Sequence, residues 1–343
     1  MSDNPKEANK EMEKAIFIAA DCWLEVFVLL PRSQLGLEIA MISRRFDYFI
    51  DEHFKTRKWK LRPIVIQHKI GENDAKEMQI VNNFGGKALP IPQIPLPNKV
   101  IGFRAIQIFF VDQNVITFLG HFHRFFAKCA TNLAITTGNV RISEFAVFTI
   151  WPMFKDTIYL LILNIVAFRQ IRQLVPSLLN DCQSLRSFNL CDGISLEFPP
   201  DDSANATDGQ ALAKWLFSSH PDNLPKKLRC YMNSIMEEQL SATVEQIKAA
   251  FSSASSPVSF IILIDFSSSS SLSSIVPFEL TNEFTGEKLA LSKEEEYEDL
   301  IGFTLIRCPI VSDDKKQQKF KELDLRWNRI GIDIADAEAA MGN

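Results

Sequence analysis

The sequence lacks the features that most enzyme active sites require. It has only 13 glycines and 5 histidines in 343 residues, and it shows no glycine-rich phosphate loop and no nucleophile with a nearby histidine. His121 and His123 lie in a helical pattern, where this spacing turns the two imidazoles about 200° apart, so we do not expect them to share a metal ion. The sequence therefore predicts a protein that is not an enzyme and that binds neither cofactor nor metal.

An excess of positive charge is also missing. The formal net charge is -5 and the pI is about 5.7, whereas proteins that bind nucleic acid concentrate lysine and arginine. The chain has 27 Phe against 4 Tyr, which favours buried aromatic packing over a surface on which bases stack. Nucleic acid is therefore not expected as a partner.

Neither a disulfide framework nor an uninterrupted apolar run is present. The six cysteines include no CxxC pair and are typical of reduced thiols in the cytosol or nucleus. The apolar run from Ala15 to Leu30 is interrupted by Asp21 and Glu25, so it is not expected to cross a membrane or to direct export. These features predict a cytoplasmic or nuclear protein without a membrane span.

The most organised stretch is residues 21–59, which predicts three short helices. Four apolar residues of the first helix recur at helical spacing: Trp23, Val26, Phe27 and Leu30. Asp21 is placed to cap the first turn, and Pro31 should end the helix because proline restricts the residue before it.

The second and third helices are expected to follow closely. Ser33 is predicted to cap the second, whose apolar positions are Leu35, Ile39 and Ile42. The third should run from about Arg44 to Phe54, with a stripe made of Phe46, Phe49, Ile50 and His53. Helices this short cannot enclose all of their apolar side chains, so part of that surface should contact the rest of the chain or a partner.

The order of these features resembles an F-box. The residues that carry the resemblance are, in order, Asp21, Leu24, Phe27, Leu30, Pro31, Leu35, the run Ile42-Ser43-Arg44-Arg45-Phe46 and Trp59. Ala20-Asp21 stands where F-boxes usually have a Leu-Pro pair. Among F-box proteins, the chain is most similar to the large families expanded in nematodes.

The resemblance implies an adaptor of a cullin–RING ubiquitin ligase. The F-box would dock on a Skp-type subunit and so join the cullin scaffold, while the remainder of the chain would hold an unidentified protein substrate for ubiquitination. The residues implied in docking are Trp23, Leu24, Val26, Phe27, Leu30, Pro31, Leu35, Ile39, Ile42 and Phe46. The alternative is a ligase-independent interaction scaffold, in which these helices cover the apolar N-terminal end of the following domain.

Beyond residue 60 the sequence predicts connecting strands and then an alternation of strands and helices. Residues 61–98 include a proline-rich spacer, with four prolines between Leu89 and Pro97. Residues 99–265 contain short apolar runs, of which the first four are about 26 residues apart, with helical patterns between most of them. Asp112 and Asp208 are expected to cap two of these helices. One strand and one helix at this period is typical of a leucine-rich-repeat-like array, and a doubly wound α/β sheet is the competing architecture.

Residues 266–340 are predicted to be rich in β-structure. A hairpin is expected from strands at 275–281 and 287–291 that meet at Thr285-Gly286, and a last strand is expected at 329–334. This region is similar to the C-terminal F-box-associated region of the same nematode families.

The predicted fold class is therefore α/β. Its expected parts are a disordered N-terminus at 1–14, F-box-like helices at 15–60, the connecting segment at 61–98, a degenerate leucine-rich-repeat-like array at 99–265, and a C-terminal antiparallel β hairpin region at 266–340.

Overall fold

The computed structural model describes most of the chain, which forms two compact units. The described residues are 18–30, 34–53, 59–61, 63–68, 76–80, 88–91, 100–122, 125, 130–137, 141–191, 196–220, 224–232, 237–267, 275–294, 300–309 and 329–333. The first unit comprises residues 1–59 with 96–100, and the second comprises 60–95 with 101–343. The predicted segments beyond residue 60 therefore belong to the second unit, apart from the short link at 96–100 and its neighbours.

The described part of the first unit consists of three helices. They are α1 (Ala20–Leu29), α2 (a π-helical turn at Leu35–Ile39 that continues as Ala40–Ile42) and α3 (Arg44–His53). Leu30 has extended backbone with ψ 146° and ends α1, as expected before a proline. Ser43 precedes α3, and its Oγ accepts a hydrogen bond from the Phe46 amide at 3.3 Å. Asp21 does not cap α1, because Ala19 holds that position and Asp21 lies in the first turn.

The second unit is built around one large mixed sheet, which confirms the α/β class. The strands are β1 (Trp59–Leu61), β2 (Ile64–His68), β3 (Lys76–Ile80), β4 (Ala88–Pro90), β5 (Val100–Phe103), β6 (Ala105–Ile108), β7 (Thr131–Thr136), β8 (Ile158–Asn164), β9 (Ser187–Cys191), β10 (Lys226–Met232), β11 (Phe260–Ser267), β12 (Phe278–Asn282), β13 (Glu287–Lys293), β14 (Leu300–Pro309) and β15 (Arg329–Asp333). Strands β1 and β5 pair with each other. The other 13 form a sheet in the order β12-β13-β14-β11-β10-β9-β8-β7-β15-β6-β2-β3-β4.

Helices connect the central strands of this sheet. They are α4 (Gln113–His121), α5 (Glu144–Phe154), α6 (Ile165–Leu174), α7 (Leu178–Asp181), α8 (Asp208–Leu216) and α9 (Glu237–Ser252). Strands β7 to β11 are parallel and lie side by side in the order of the chain, with no reversal of strand order between them. Because such crossovers are right-handed, their helices lie on one face of the sheet.

Aromatic contacts join this helical layer to the sheet. Phe168 of α6 contacts Phe188 of β9 with ring centroids 5.4 Å apart, and Phe188 contacts Trp215 of α8 at 6.1 Å. All three side chains are buried. The abundant phenylalanine therefore fills the space between helices and strands, where large apolar side chains remove the most surface from water.

Short polar side chains fix where several of these helices begin. Asp112 caps α4 as predicted, and its Oδ1 accepts a hydrogen bond from the Val115 amide at 2.9 Å. At α8 the cap is Thr207, which exchanges hydrogen bonds with Gln210 at 3.0 and 3.1 Å in a capping box. The predicted cap, Asp208, instead accepts a hydrogen bond from Arg172 at 2.8 Å.

The C-terminal hairpin lies at one edge of the sheet. Strands β12 and β13 pair antiparallel, and β13 continues the sheet through β14 to β11. Gly286 has φ +69° in the turn, a conformation that glycine adopts without a Cβ clash. Asn282 completes the turn, since its Oδ1 accepts hydrogen bonds from the amides of Phe284 and Thr285 at 3.0 and 3.2 Å.

The position of the last strand differs from the prediction. We expected residues 329–334 to join the C-terminal β-rich region, but β15 lies between β6 and β7 and is parallel to both. Ile330 and Ile332 are buried there, and Gly331 lies against the side chain of Gln107. Alternation of buried residues predicts a strand but not its neighbours, which explains the error.

Consecutive residues of β10 point to opposite faces of the sheet. Lys226, Leu228, Cys230 and Met232 are buried under the helices, and Lys226 Nζ donates hydrogen bonds to the Trp215 carbonyl at 2.5 Å and to Ser218 Oγ at 2.6 Å. Burial, and secondarily the charge of Arg186, lowers the pKa of Lys226 from 10.5 to about 8. We call the opposite side of the sheet, which α4 to α9 leave uncovered, the helix-free face.

The lowered pKa of Lys226 predicts that the folded protein becomes more stable as the pH rises above 8. Between pH 8 and 10.5 the unfolded chain binds a proton at Lys226 that the folded chain has released, so the free energy of unfolding should rise across this window, by up to about 3 kcal/mol. Below pH 8 both states are protonated and the full cost of burying the charge remains. Urea unfolding from pH 7.5 to 10.5 should show this rise, and Lys226→Met should lack it. Equal pH slopes for the two proteins would contradict the prediction.

Candidate partner-binding surface

The core of the first unit is aromatic. Trp23 of α1 and Phe46 of α3 form a T-shaped contact with ring centroids 4.8 Å apart, and Phe27 lies 6.4 Å from Phe46 and 6.0 Å from His53. Phe27 is only 1% exposed. The spacing of these residues along α1 thus serves first to hold α1 against α3.

The ten residues predicted for docking divide by exposure. Phe27 and Leu35 are buried. Five are partly buried, namely Trp23, Leu24, Leu30, Ile39 and Phe46. Val26 and Ile42 are exposed, and Pro31 lies outside the described residues. Direct contact with a partner is thus open to some members of the set, while Phe27 and Leu35 support the helices from within.

Two residues absent from the predicted set are the most exposed aliphatic side chains of α1. Val28 is 72% exposed and Leu29 is 82% exposed, compared with 41% for Val26. The pattern could have indicated them, because a core stripe at positions 23, 27 and 30 leaves residues 26, 28 and 29 on the sides of the helix that point outward. Val26 and Leu29 lie on one side of the helix, whereas Val28 is turned about 200° from Val26. We call Val26 and Leu29 the α1 apolar face.

One exposed flank of α1 is apolar, although the side opposite its core stripe carries the charged residues Asp21 and Glu25. Cys22, Val26 and Leu29 are spaced i, i+4 and i+7 and share one flank, and all three are exposed. Asp21 and Glu25 are the only charged residues of the helix. Exposed helix positions normally carry charged or polar residues, so an apolar exposed flank is typical of a surface that another protein covers.

Helix α3 contributes charge and a tie to the chain before α1. Arg45 Nη2 donates a hydrogen bond to the Ile18 carbonyl at 3.1 Å, and its guanidinium lies 5.1 Å from the ring of Phe49. Asp47 and Asp51 are one turn apart, and partial burial, followed by the charge of Asp51, raises the pKa of Asp47 above its usual range. Neighbouring carboxylates on one helix repel each other, so a cationic group on a partner would relieve the repulsion.

The helix-free face of β8 to β11 and β14 forms a second candidate surface. Its register partners make a row across five strands, listed in order as Leu160, Ser187, Lys227, Ile261 and Ile306. In the next row Arg229 Nε lies 2.6 Å from Asp265 Oδ2, and its guanidinium lies 5.2 Å from the ring of Tyr231. The face therefore combines aliphatic side chains with a small group of charges.

The described residues also bear on the expectation that the protein binds no metal ion. Among them, no group of three or more histidine, cysteine, aspartate or glutamate side chains is placed to hold a metal ion. His121 ends α4, and burial lowers its pKa. His123, its partner in the H-x-H pair, lies outside the described residues.

The cysteines and helices of the described ranges bear on the predictions about reduced thiols and membrane spans. Cys22, Cys182 and Cys230 are free thiols. Burial raises the pKa of Cys230 to about 12, which keeps that thiol protonated and unreactive. Within the described ranges, every helix is too short or too polar to span a membrane.

Comparison of the chain with protein-family models, with curated proteins and with solved structures found no match. The F-box expectation therefore depends on the residues between Ala20 and Trp59, on the similar C-terminal segments, and on the surface that α1 presents. The α1 apolar face is the part of that surface which a binding experiment can test directly.

Proposed function

We propose that this protein is an F-box substrate-recognition adaptor of a cullin–RING ubiquitin ligase. The observation that carries the proposal is the α1 apolar face: a compact unit of three short helices leaves Val26 and Leu29 exposed together on one side of its first helix. A few such aliphatic anchors supply most of the affinity in protein interfaces. In this proposal they contact a Skp-type subunit, and Phe27 and Leu35 hold the helices in place beneath them.

The second unit takes the role of target holder in this proposal. Parallel strands β7 to β11 follow the chain order, each with its connecting helix, and this order supports a leucine-rich-repeat-like array over a doubly wound sheet, which would reverse direction at a switch point. The helices cover one face of the strands and leave the helix-free face for a protein substrate.

The mechanism is proximity. The adaptor holds its target near a conjugating enzyme loaded with ubiquitin, which raises the effective concentration of the reacting lysine. The bond-forming chemistry belongs to other subunits, so the adaptor itself needs no cofactor. The free thiols of Cys22, Cys182 and Cys230 support a reducing location, in the cytoplasm or nucleus.

Binding of the full-length chain to purified Skp-type subunit tests the proposal. We expect a stable complex in gel filtration, which then recruits purified cullin scaffold into a larger species. A folded chain that elutes alone in the presence of the Skp-type subunit would contradict the adaptor role and favour the ligase-independent scaffold. Circular dichroism of the same sample establishes whether the chain is folded.

A further inference from the structure

Lys227 is a cation of the helix-free face that has no ion pair with another described residue. Lys227 lies on this face, opposite to its buried neighbour Lys226. Within the part of the chain that the structure describes, the Lys227 ammonium forms no hydrogen bond or ion pair. Burial, followed by the charge of Arg229, lowers its pKa, and the charge of Asp265 opposes this shift in part. A half-buried ammonium without a counterion is costly, and a carboxylate brought by a ligand would offset the cost.

Arg229, the other cation of β10 on this face, is already paired. Arg229 is held by Asp265 through the 2.6 Å contact, so it cannot add a second full positive charge to a ligand site without breaking that pair. One available ammonium suits a monoanionic carboxylate. A phosphate group, which carries about two negative charges and favours arginine clusters, would remain undercompensated.

Lys227 lies between a serine and an isoleucine, and an aliphatic side chain lies two strands away on each side. Its register partners are Ser187 and Ile261, and the row ends at Leu160 on one side and Ile306 on the other, each two strands away. Two strand spacings are about 10 Å, which a peptide in the extended polyproline II conformation spans in about three residues. Because this conformation repeats every three residues, side chains three positions apart lie on the same side of the peptide. The row thus offers a bound peptide an apolar side chain at each end and a cation in the middle, at a spacing that matches three residues of the peptide.

We propose that the helix-free face holds an acidic, extended segment of the target protein, with one aspartate or glutamate on Lys227 and an apolar side chain about three residues to each side. This inference rests on the proposed adaptor function and deepens it, because it names the chemistry by which a target is selected. Lys227 is the specificity-determining residue, and Arg229 and Asp265 shape the charge beside it.

Selection from a phage-displayed library of random 12-residue peptides on the full-length protein tests this surface. Enriched peptides should share an acidic residue with an apolar residue about three positions away on each side. Lys227→Glu should weaken a selected peptide about 30-fold or more and should favour the same peptide with lysine in place of its acidic residue. Lys227→Gln should weaken it about tenfold, which keeps the test intact if the glutamate variant folds poorly.

Lys214→Glu provides the matched control. Lys214 is exposed on α8, on the helical side of the sheet, so the same charge change there should leave peptide affinity unchanged. Enrichment of neutral or basic peptides, failure to enrich any peptide, equal loss with Lys214→Glu, or tighter binding of a phosphoserine version would overturn the proposal.

Binding to the Skp-type subunit separates this inference from the proposed function. Lys227→Glu should bind that subunit as wild type does, because the substitution lies in the second unit. If acidic peptides are selected but the Skp-type subunit is not bound, the adaptor role fails while the peptide surface stands. If the subunit is bound and the peptide results go against Lys227, the adaptor role stands and this inference fails.

Discussion

Replacing Val26 and Leu29 together with glutamine should reduce the affinity for the Skp-type subunit by about 100-fold or more. Both side chains are exposed on one flank of α1, and the loss of two aliphatic anchors from an interface typically costs about 3 kcal/mol or more. Glutamine is a good helix former and adds no charge at the helix end, so the fold should survive. Isothermal titration of the purified variant with the purified subunit measures the effect.

The second unit offers a matched control for this double variant. Val276 and Leu224 are also an exposed valine and an exposed leucine, so Val276→Gln with Leu224→Gln makes the same chemical change away from α1. The control should bind as wild type does. Wild-type affinity in the Val26 and Leu29 variant, or an equal loss in the control, would show that the α1 apolar face is not the docking surface.

The Phe27→Ala variant distinguishes a residue that stabilises the helices from residues that contact the partner directly. Phe27 is buried between Trp23 and Phe46, so its truncation should destabilise the three helices by about 3–5 kcal/mol and abolish binding through loss of structure. The glutamine variant should lose binding with unchanged circular dichroism and unchanged protease resistance of residues 18–53. Loss of affinity without loss of structure is therefore the result that identifies a contacting residue.

The local elements of this fold could be predicted from the sequence, because they depend on nearby residues. Periodicity and Pro31 predicted the end of α1, and Asp112 predicted the start of α4. The register of distant strands could not be predicted in the same way. The placement of β15 between β6 and β7 depends on which apolar edges remain unpaired after the rest of the sheet forms, and no local pattern contains that information.

The candidate surface was predictable only in outline. A helical stripe does not distinguish residues that pack into the core from residues that contact a partner. The predicted docking set therefore includes Phe27 and Leu35, although both are buried. The outward residues Val28 and Leu29 follow by elimination from the same helix. Lys226 and Lys227 show why the sheet surface could not be predicted. These adjacent lysines point to opposite sides of β10, and only the tertiary structure decides which side the helices cover.

Glu287 is the residue whose environment departs most from the sequence pattern. It follows the hairpin turn, where a glutamate normally lies in solvent, yet Glu287 and Arg307 are 0% and 1% exposed. Arg307 donates hydrogen bonds to Glu287 Oε2 at 2.6 and 3.1 Å, and the Val258 amide donates to Oε1 at 2.8 Å. The Arg307 guanidinium also lies 5.2 Å from the ring of Phe251, so the pair joins β13, β14 and α9.

Glu287→Gln should destabilise the second unit by about 3–5 kcal/mol, because it leaves the Arg307 charge buried without an anion while the shape of the site is kept. The expected loss is a large part of the 5–15 kcal/mol that stabilises a typical domain. Urea unfolding followed by circular dichroism and by tryptophan fluorescence would measure it. Glu279→Gln, which breaks the exposed pair with Lys288 at 3.2 Å on the same hairpin, should cost about 1 kcal/mol or less.

A double replacement separates the energy of the pair from the penalty for breaking it. Glu287→Leu with Arg307→Met removes both charges together, and because the desolvation cost of both ions disappears with their attraction, the double variant should be more stable than Glu287→Gln. If the free energy of unfolding of Glu287→Gln lies within 1 kcal/mol of the wild-type value, the buried pair does not hold the hairpin to the sheet. If the double variant is as unstable as Glu287→Gln, the hydrogen bonds from Val258 and to the Ser256 carbonyl, rather than the balance of charge, stabilise this corner.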